Sequence, residues 1–240
     1  MKKYKWRRIL ALLLALGFVV MWLVLNPASY DNIFVPENTE LQSETFKNNA
    51  SAEEQELAID VLENLEVKGR APKTGYSREE FYNSWPTVEG CNLRQRIIKR
   101  EFGDSAVLDG CNVVKGEFDE PYTGEHLLFT TKEEISKGIQ IDHVVALSDA
   151  WQKGAQYMDK SVRYEMATDP LNLLAVDAKA NQAKSDGDAA TWLPKNKKFR
   201  CQYVARQVSV KWKYKLWVTE AEKTAIHDIL VTCPNQYVLK

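Results

Sequence analysis

The chain has 240 residues, 45% of them hydrophobic and 27% charged, with a net charge of −1. This composition excludes a collagenous, low-complexity or wholly disordered chain, and the length bounds the answer at one or two domains with one sizeable core. The near-zero charge argues against a uniformly basic coat, but it hides an asymmetry: residues 31–68 carry ten acids and two bases, residues 179–215 ten bases and two acids. A solvated face is the plain reading of each block. The basic block is weighed equally as a phosphate-facing surface, because it begins inside the most informative stretch of the chain.

Lys2, Lys3, Lys5, Arg7 and Arg8 precede an uncharged run over residues 9–25. A basic start followed by a long apolar segment is an export pattern. The run exceeds a usual signal-peptide core, and Asn26-Pro27-Ala28-Ser29 makes a poor cleavage site, so residues 1–29 read as an uncleaved signal-anchor in preference to a cleaved signal. On either reading the remainder lies outside the cytoplasm, anchored to the membrane or secreted. Residues 30–51 are acidic and aperiodic and read as a flexible tether, leaving 52–240 as the folded domain.

In that domain Leu57, Val61, Leu62 and Leu65 share one face of an acidic helix, and Gly69, Pro72 and Gly75 break the chain after it. Phe81 and Trp85 read as core aromatics. Arg94 and Arg96 are weighed as phosphate contacts against the commoner structural or solvated arginine. Residues 107–114 read as a strand or hairpin, 119–124 as a turn and 127–130 as β-prone.

Cys91, Cys111, Cys201 and Cys233 show no zinc-ligand spacing, and in an exported chain an even count points to disulfides. Nearest-neighbour pairing gives Cys91–Cys111 and Cys201–Cys233, one of three connectivities open to four cysteines. Asp188 caps a short segment through Trp192 and Pro194. Residues 200–214 read as a helix whose stripe is Cys201, Val204, Ala205, Val208 and Trp212, with Arg200, Arg206, Lys211 and Lys213 off it. Thr219 and Glu222 have the spacing of a capping box opening a last helix to Cys233, with His227 at the surface.

The chemistry concentrates in residues 140–184. Ile139, Ile141, Val144 and Val145 give β character around Asp142-His143, the run 173–176 after Asn172 reads as a second strand, and 178–184 as a helix carrying Asn181 and Lys184. Neighbouring residues of a strand point to opposite faces, so Asp142 and His143 serve one site only if the strand ends, curls or bulges there. Phosphodiester hydrolysis needs a deprotonated water, a stabilised leaving oxygen and a held phosphate. A histidine suits the first need, a metal the second and cations the third. Taken singly each residue is weak: a lone histidine is more often structural than catalytic, and an asparagine before a strand is usually a turn residue. The ordered set is the signal.

Asp142-His143, Asn172 and Asn181 resemble the three signatures of the HNH endonuclease family in its variant with asparagine third. Arg70-Ala71-Pro72-Lys73-Thr74-Gly75-Tyr76, Pro121-Tyr122-Thr123-Gly124, Ile141-Asp142-His143-Val144-Val145-Ala146-Leu147, Asp169-Pro170-Leu171-Asn172-Leu173, Trp192-Leu193-Pro194 and Arg200-Cys201 extend the resemblance to an exported bacterial group of that family. Asn92-Leu93-Arg94-Gln95 departs from the group's pattern after Cys91. The resemblance implies an α+β fold: a ββα-metal core at about 138–187 in a mostly helical, disulfide-bonded domain. It implies His143 as general base, Asn172 as its brace, Asp142 and Asn181 as metal ligands and Lys184 as a phosphate contact, with Arg206 and Lys211 as weaker contacts. Carboxylate and amide oxygens suit a hard ion, so Mg2+ is expected with Mn2+ as substitute.

The function expected is therefore a metal-dependent endonuclease acting on DNA, with RNA as the other candidate substrate, at low sequence specificity. The chain is read as a monomer without a small-molecule cofactor. A catalytically inactive nucleic-acid-binding module is the competing class, and a disulfide-stapled envelope protein a third.

Overall fold

The computed structural model describes residues 56–239. The expected export segment and the whole of the acidic tether lie outside these residues. No helix among the described residues is long and apolar enough to cross a membrane.

The elements in order are helix α1 (Ala58–Glu63), strands β1 (Thr87–Val88) and β2 (Cys91–Asn92), α2 (Leu93–Phe102), β3 (Val107–Asp109), β4 (Asn112–Asp119), β5 (His126–Phe129), α3 (Lys132–Gly138) and β6 (Ile139–His143). Then follow α4 (Leu147–Gln152), α5 (Lys160–Thr168), β7 (Leu173–Asp177), α6 (Ala178–Lys184), α7 (Arg200–Lys213) and α8 (Glu220–Leu230). The fold is α+β. β3, β4 and β5 form an antiparallel meander, and β1–β2 and β6–β7 are separate antiparallel pairs.

β6 and β7 pair in register from Ile139 opposite Asp177 to His143 opposite Leu173. Both faces of β7 are covered, which explains its unbroken apolar run. Leu174 and Val176 join a core with α1, α7 and α8, and Leu173 and Ala175 join another with α2, β4 and α3. A third core gathers Phe81, Trp151, Met166 and Leu171. Gly116, at φ 151°, lets β4 pass against Phe102, whose ring any Cβ there would meet.

Both nearest-neighbour disulfides form. Cys91–Cys111 ties β2 to the β3–β4 turn, and Cys201–Cys233 fastens the start of α7 to the chain beyond α8. Two sequence expectations are corrected. Residues 144–171, read as a loop between two strands, contain α4 and α5. Thr219 does cap α8 by accepting from Glu222 N, but the Glu222 side chain goes inward to Lys153 and Lys211 instead of returning to the cap.

Candidate active site

The alternation of β6 sends Asp142 and His143 to opposite faces of the hairpin. Asp142 stands across from Leu174 and beneath Tyr122, on the α6 side. His143, the last residue of β6, stands across from Leu173 and meets Trp85 and Tyr82. The Trp85 indole lies 5.8 Å from the imidazole at an interplanar angle of 8°, and the Tyr82 ring is also 5.8 Å away.

The C-terminal end of α5 holds this face. The last carbonyls of a helix have no partner within it, and two of these serve the site. His143 Nε2 lies 2.9 Å from Ala167 O, and Asn172 Nδ2 donates to Met166 O at 3.3 Å. A carbonyl only accepts, so His143 carries its proton on Nε2 and presents Nδ1 as a lone pair. Nδ1 has no hydrogen-bond partner among the described residues. His143 is 4% exposed, and burial, opposed by Ala167 O and reinforced by the charges of Arg78 and Lys184, pulls its pKa to about 3. The imidazole is neutral at ordinary pH.

Asn172 is fully buried and braces the turn after His143. Its Oδ1 accepts from Val145 N at 2.8 Å, Nδ2 also reaches Val145 O at 3.3 Å, and its backbone carbonyl accepts from Val144 N at 2.9 Å. The side chain thus links the end of β6 to the end of α5.

On the other face Asp142 is 5% exposed and already holds a cation. Lys184 Nζ donates to its Oδ1 at 2.9 Å and to His143 O at 2.8 Å, while the Tyr122 hydroxyl donates to Oδ2. Burial pushes the Asp142 carboxyl up; Lys184 and Tyr122 pull it back. Glu120 sets Tyr122 in place, accepting from Tyr122 N, Thr123 N and Asp177 N. Asn181, one turn before Lys184 on α6, turns its Nδ2 to Gln140 Oε1 at 2.8 Å instead of facing Asp142. Its amide oxygen has no hydrogen-bond partner among the described residues.

Among the described residues no three His, Cys, Asp or Glu side chains converge as a metal cage. The oxygens of Asp142, Asn181 and Gln140 on one face nevertheless fit a hard cation in kind, because Asp142 is already paired with an ammonium. Any such ion competes with Lys184.

The phosphate contacts expected from sequence are engaged elsewhere. Lys184 is 2% exposed and bound to Asp142. Arg94 donates to Ile139 O at 3.0 Å and Arg206 to Leu171 O at 2.9 Å, so both anchor strand ends. Lys211, expected off the apolar stripe, is fully buried with Asp149 and Glu222 at 3.3 and 3.0 Å. An apolar stripe does not reveal a lysine neutralised by a residue from another helix, and this is why the sequence reading misplaced it. The basic block 179–215 therefore forms no single face; Lys195, Lys197 and Lys198 remain exposed along a cleft of 690 Å³ that also holds Glu101, Asp119 and Glu120. Trp85, read as core, was the site residue missed. Its spacing from His143 carries no periodic signal.

Residues 94–229 match the family described as GmrSD restriction endonucleases, C-terminal domain, which spans more than half of the chain. The chain belongs to that family. It is an HNH-type nuclease family, so the GmrSD match supplies a nuclease-type function independently of the hairpin geometry. The chain is also 37% identical over 180 residues to an uncharacterized secreted protein of Arthroderma benhamiae (strain ATCC MYA-4681 / CBS 112371), covering 73% of this chain and 84% of that protein. No solved structure matches the chain.

Proposed function

We propose that this GmrSD-family domain is an endonuclease that hydrolyses phosphodiester bonds of DNA, with RNA as the second candidate, outside the cytoplasm and with little sequence preference. The observation that carries the reading is His143: a buried, neutral imidazole fixed as the Nε2–H tautomer by Ala167 O, with Nδ1 left to take a proton from water. Asn172 acts as its positioning residue by locking residues 143–145 to the end of α5. Asp142 and Asn181 are the residues that would hold a divalent ion, Mg2+ or Mn2+, with Gln140 beside them. Such an ion would supply charge stabilisation at the leaving oxygen, and because Asp142 stands on the face opposite His143, the two serve one phosphate only at the strand end that His143 forms. In this reading residues 1–29 export or anchor the domain and 30–51 tether it.

The test is plasmid cleavage by the purified chain and by His143→Ala, with a series of divalent ions and an RNA control. Loss of a general base lowers the rate by about 10²- to 10⁴-fold. Equal degradation by both proteins overturns the reading. Salt-dependent binding by wild type without cleavage at any ion concentration assigns the domain to the binding-module class instead.

A further inference from the structure

With Lys184, Arg94, Arg206 and Lys211 all engaged, the phosphate of a bound strand needs another cation near His143. Arg100 is also taken, by Pro170 O and Leu173 O, and Arg163 by Glu80 and Met158 O. Arg78 differs. It is exposed, makes no ion pair or side-chain hydrogen bond among the described residues, and lies with its guanidinium carbon 5.6 Å from the Tyr82 ring centroid. That ring is the one standing 5.8 Å from His143.

The location is held by the backbone. Arg78 O accepts from Phe81 N at 3.0 Å and Tyr82 N at 3.1 Å, closing a tight turn. Arg163, 7% exposed, pins that turn to α5 through Glu80 O at 2.9 Å and Glu80 Oε2 at 3.0 Å. An arginine without an acid partner, lying against the ring that also meets the lone-pair histidine, matches what a phosphate requires: a planar fork of donors whose charge reaches the group that handles the proton.

Tyr82 also borders a cavity of 500 Å³, lined with Glu79, Asn83, Ser84, Lys160 and Tyr164 among others. Tyr82 is 6% exposed, and its hydroxyl has no partner among the described residues. Leaving such a group unpaired is unfavourable, but it is closed off from solvent behind the cavity wall and offers a ligand no contact where it stands. Tyr164, 43% exposed, offers an aromatic face, and Asn83, Ser84 and Glu79 offer donors and acceptors around it. A flat ring with polar edges attached to a phosphate is a nucleotide.

We propose that Arg78 and this cavity form a nucleotide subsite. Arg78 takes the phosphate, against the Tyr82 ring that it shares with His143, and the cavity takes the attached base against the Tyr164 ring. The inference rests on the nuclease reading for the statement that the held phosphate is the one cut. A base stacked in a protein cavity is not paired with a partner strand, so the subsite selects single-stranded nucleic acid over duplex.

The experiment measures binding and cleavage separately in the full-length chain. Binding uses His143→Ala as the non-cutting background, a short fluorescent single strand of mixed sequence, its duplex, and fluorescence anisotropy over a salt series. Arg78→Gln is expected to weaken single-strand binding by about tenfold and to flatten the salt slope by about 0.7. Tyr164→Ala, which removes the exposed aromatic face of the cavity, is expected to weaken it by about tenfold. Wild-type cleavage is expected to prefer the single strand, and Arg78→Gln to raise its KM. Unchanged affinity and salt slope in Arg78→Gln overturn the subsite, as does equal affinity for strand and duplex with no effect of Tyr164→Ala. The two readings fail separately. Cleavage that survives Arg78→Gln at unchanged KM removes the subsite and leaves the nuclease. Arg78-dependent binding by a wild-type protein that never cuts removes the nuclease and leaves the subsite.

Discussion

The domain buries two polar groups, and they differ in what each leaves uncommitted. One joins Arg70, Lys153 and Lys211 to Asp149, Asp188 and Glu222. Lys153 Nζ lies 2.7 Å from Asp149, 2.7 Å from Asp188 and 2.6 Å from Glu222; Lys211 meets Asp149 and Glu222; Arg70 meets Asp149 at 3.0 Å and Asp188 at 2.7 Å. Three cations face three carboxylates, most of them brought together from distant parts of the chain, and every member has an opposite charge in reach. The other group lies across the β6–β7 hairpin. There Asp142 and Lys184 are paired on one face, while on the other His143 Nδ1, the Arg78 guanidinium and the Tyr82 hydroxyl stay unpartnered among the described residues. The first cluster contains more buried charge, and although Asp149 Oδ1 and Glu222 Oε1 make no well-aligned hydrogen bond, each lies within 3.0 Å of a cation, so no charge in it is left for a ligand. Open valence, more than buried charge, is what distinguishes a site from a structural clasp.

Removing one member of the closed cluster should give the largest stability effect. Glu222→Gln leaves Lys153 and Lys211 short of an acid, and breaking a buried ion pair costs about 3–5 kcal/mol. Denaturant unfolding should show that loss while plasmid cleavage per folded molecule stays at the wild-type rate. A drop in cleavage with unchanged stability would reverse the roles assigned to the two groups.

Next in size is the clasp between α7 and α8. Replacing Cys201 and Cys233 together by serine is expected to remove about 3 kcal/mol in the chain-entropy picture, read as a lower midpoint in the same unfolding experiment, with no change in KM.

Asn172→Ala tests the open side. It strips Val145 N–H of its acceptor, at about 1–3 kcal/mol, and frees the turn that carries His143. Its cleavage rate should fall by more than the loss of folded protein explains; a rate that tracks folded fraction alone would make Asn172 purely structural.

Lys184→Met sharpens the paired face. It exposes the Asp142 carboxylate to any divalent ion, so thermal stability of the variant should rise with Mg2+ by about 1.4 kcal/mol for each tenfold excess over Kd. The wild-type midpoint should move less, and an Asp142→Asn/Lys184→Met protein not at all. Equal shifts in all three proteins would place ion binding elsewhere.

The smallest effect is acid sensitivity of the closed cluster. Burial alone would raise Asp188, but Lys153 and Arg70 outweigh it and hold the carboxyl at about 2, below its ordinary 3.8. Its folded value lies below its unfolded one, so this stabilisation is present above about pH 4 and is lost as pH falls toward 2. Melting from pH 6 to pH 2 should show a shallower acid decline in Asp188→Asn, which starts from a lower midpoint; parallel declines would remove Asp188 as a contributor.

Much of the hairpin was legible in sequence. Leu173-Leu174-Ala175-Val176 read as a strand because both its faces are buried, and residues 178–184 read as the following helix. Compartment pointed to disulfides and left three pairings open, of which the nearest-neighbour one forms. α4 and α5 were not legible. They are short, and much of α4 is buried, including Asp149 and Ser148, so the polar-apolar alternation that betrays an amphipathic helix is missing. For that reason the carbonyls of Met166 and Ala167, which hold Asn172 and His143, had no sequence signal.

The sequence by itself determined the strand and helix of residues 173–184, the last two helices, and the placing of one histidine where an apolar strand ends, and it narrowed the disulfides to three pairings. Tertiary structure alone decided which charges are engaged. Lys184, Lys211, Arg94 and Arg206 are indistinguishable from surface cations in a string of letters, and their neighbours in space come from elements far along the chain. Arg78, the unpaired arginine on the Tyr82 ring that meets His143, stands out only when those partners have been located. A charge acts on what lies within a few ångströms of it, and the fold sets those distances.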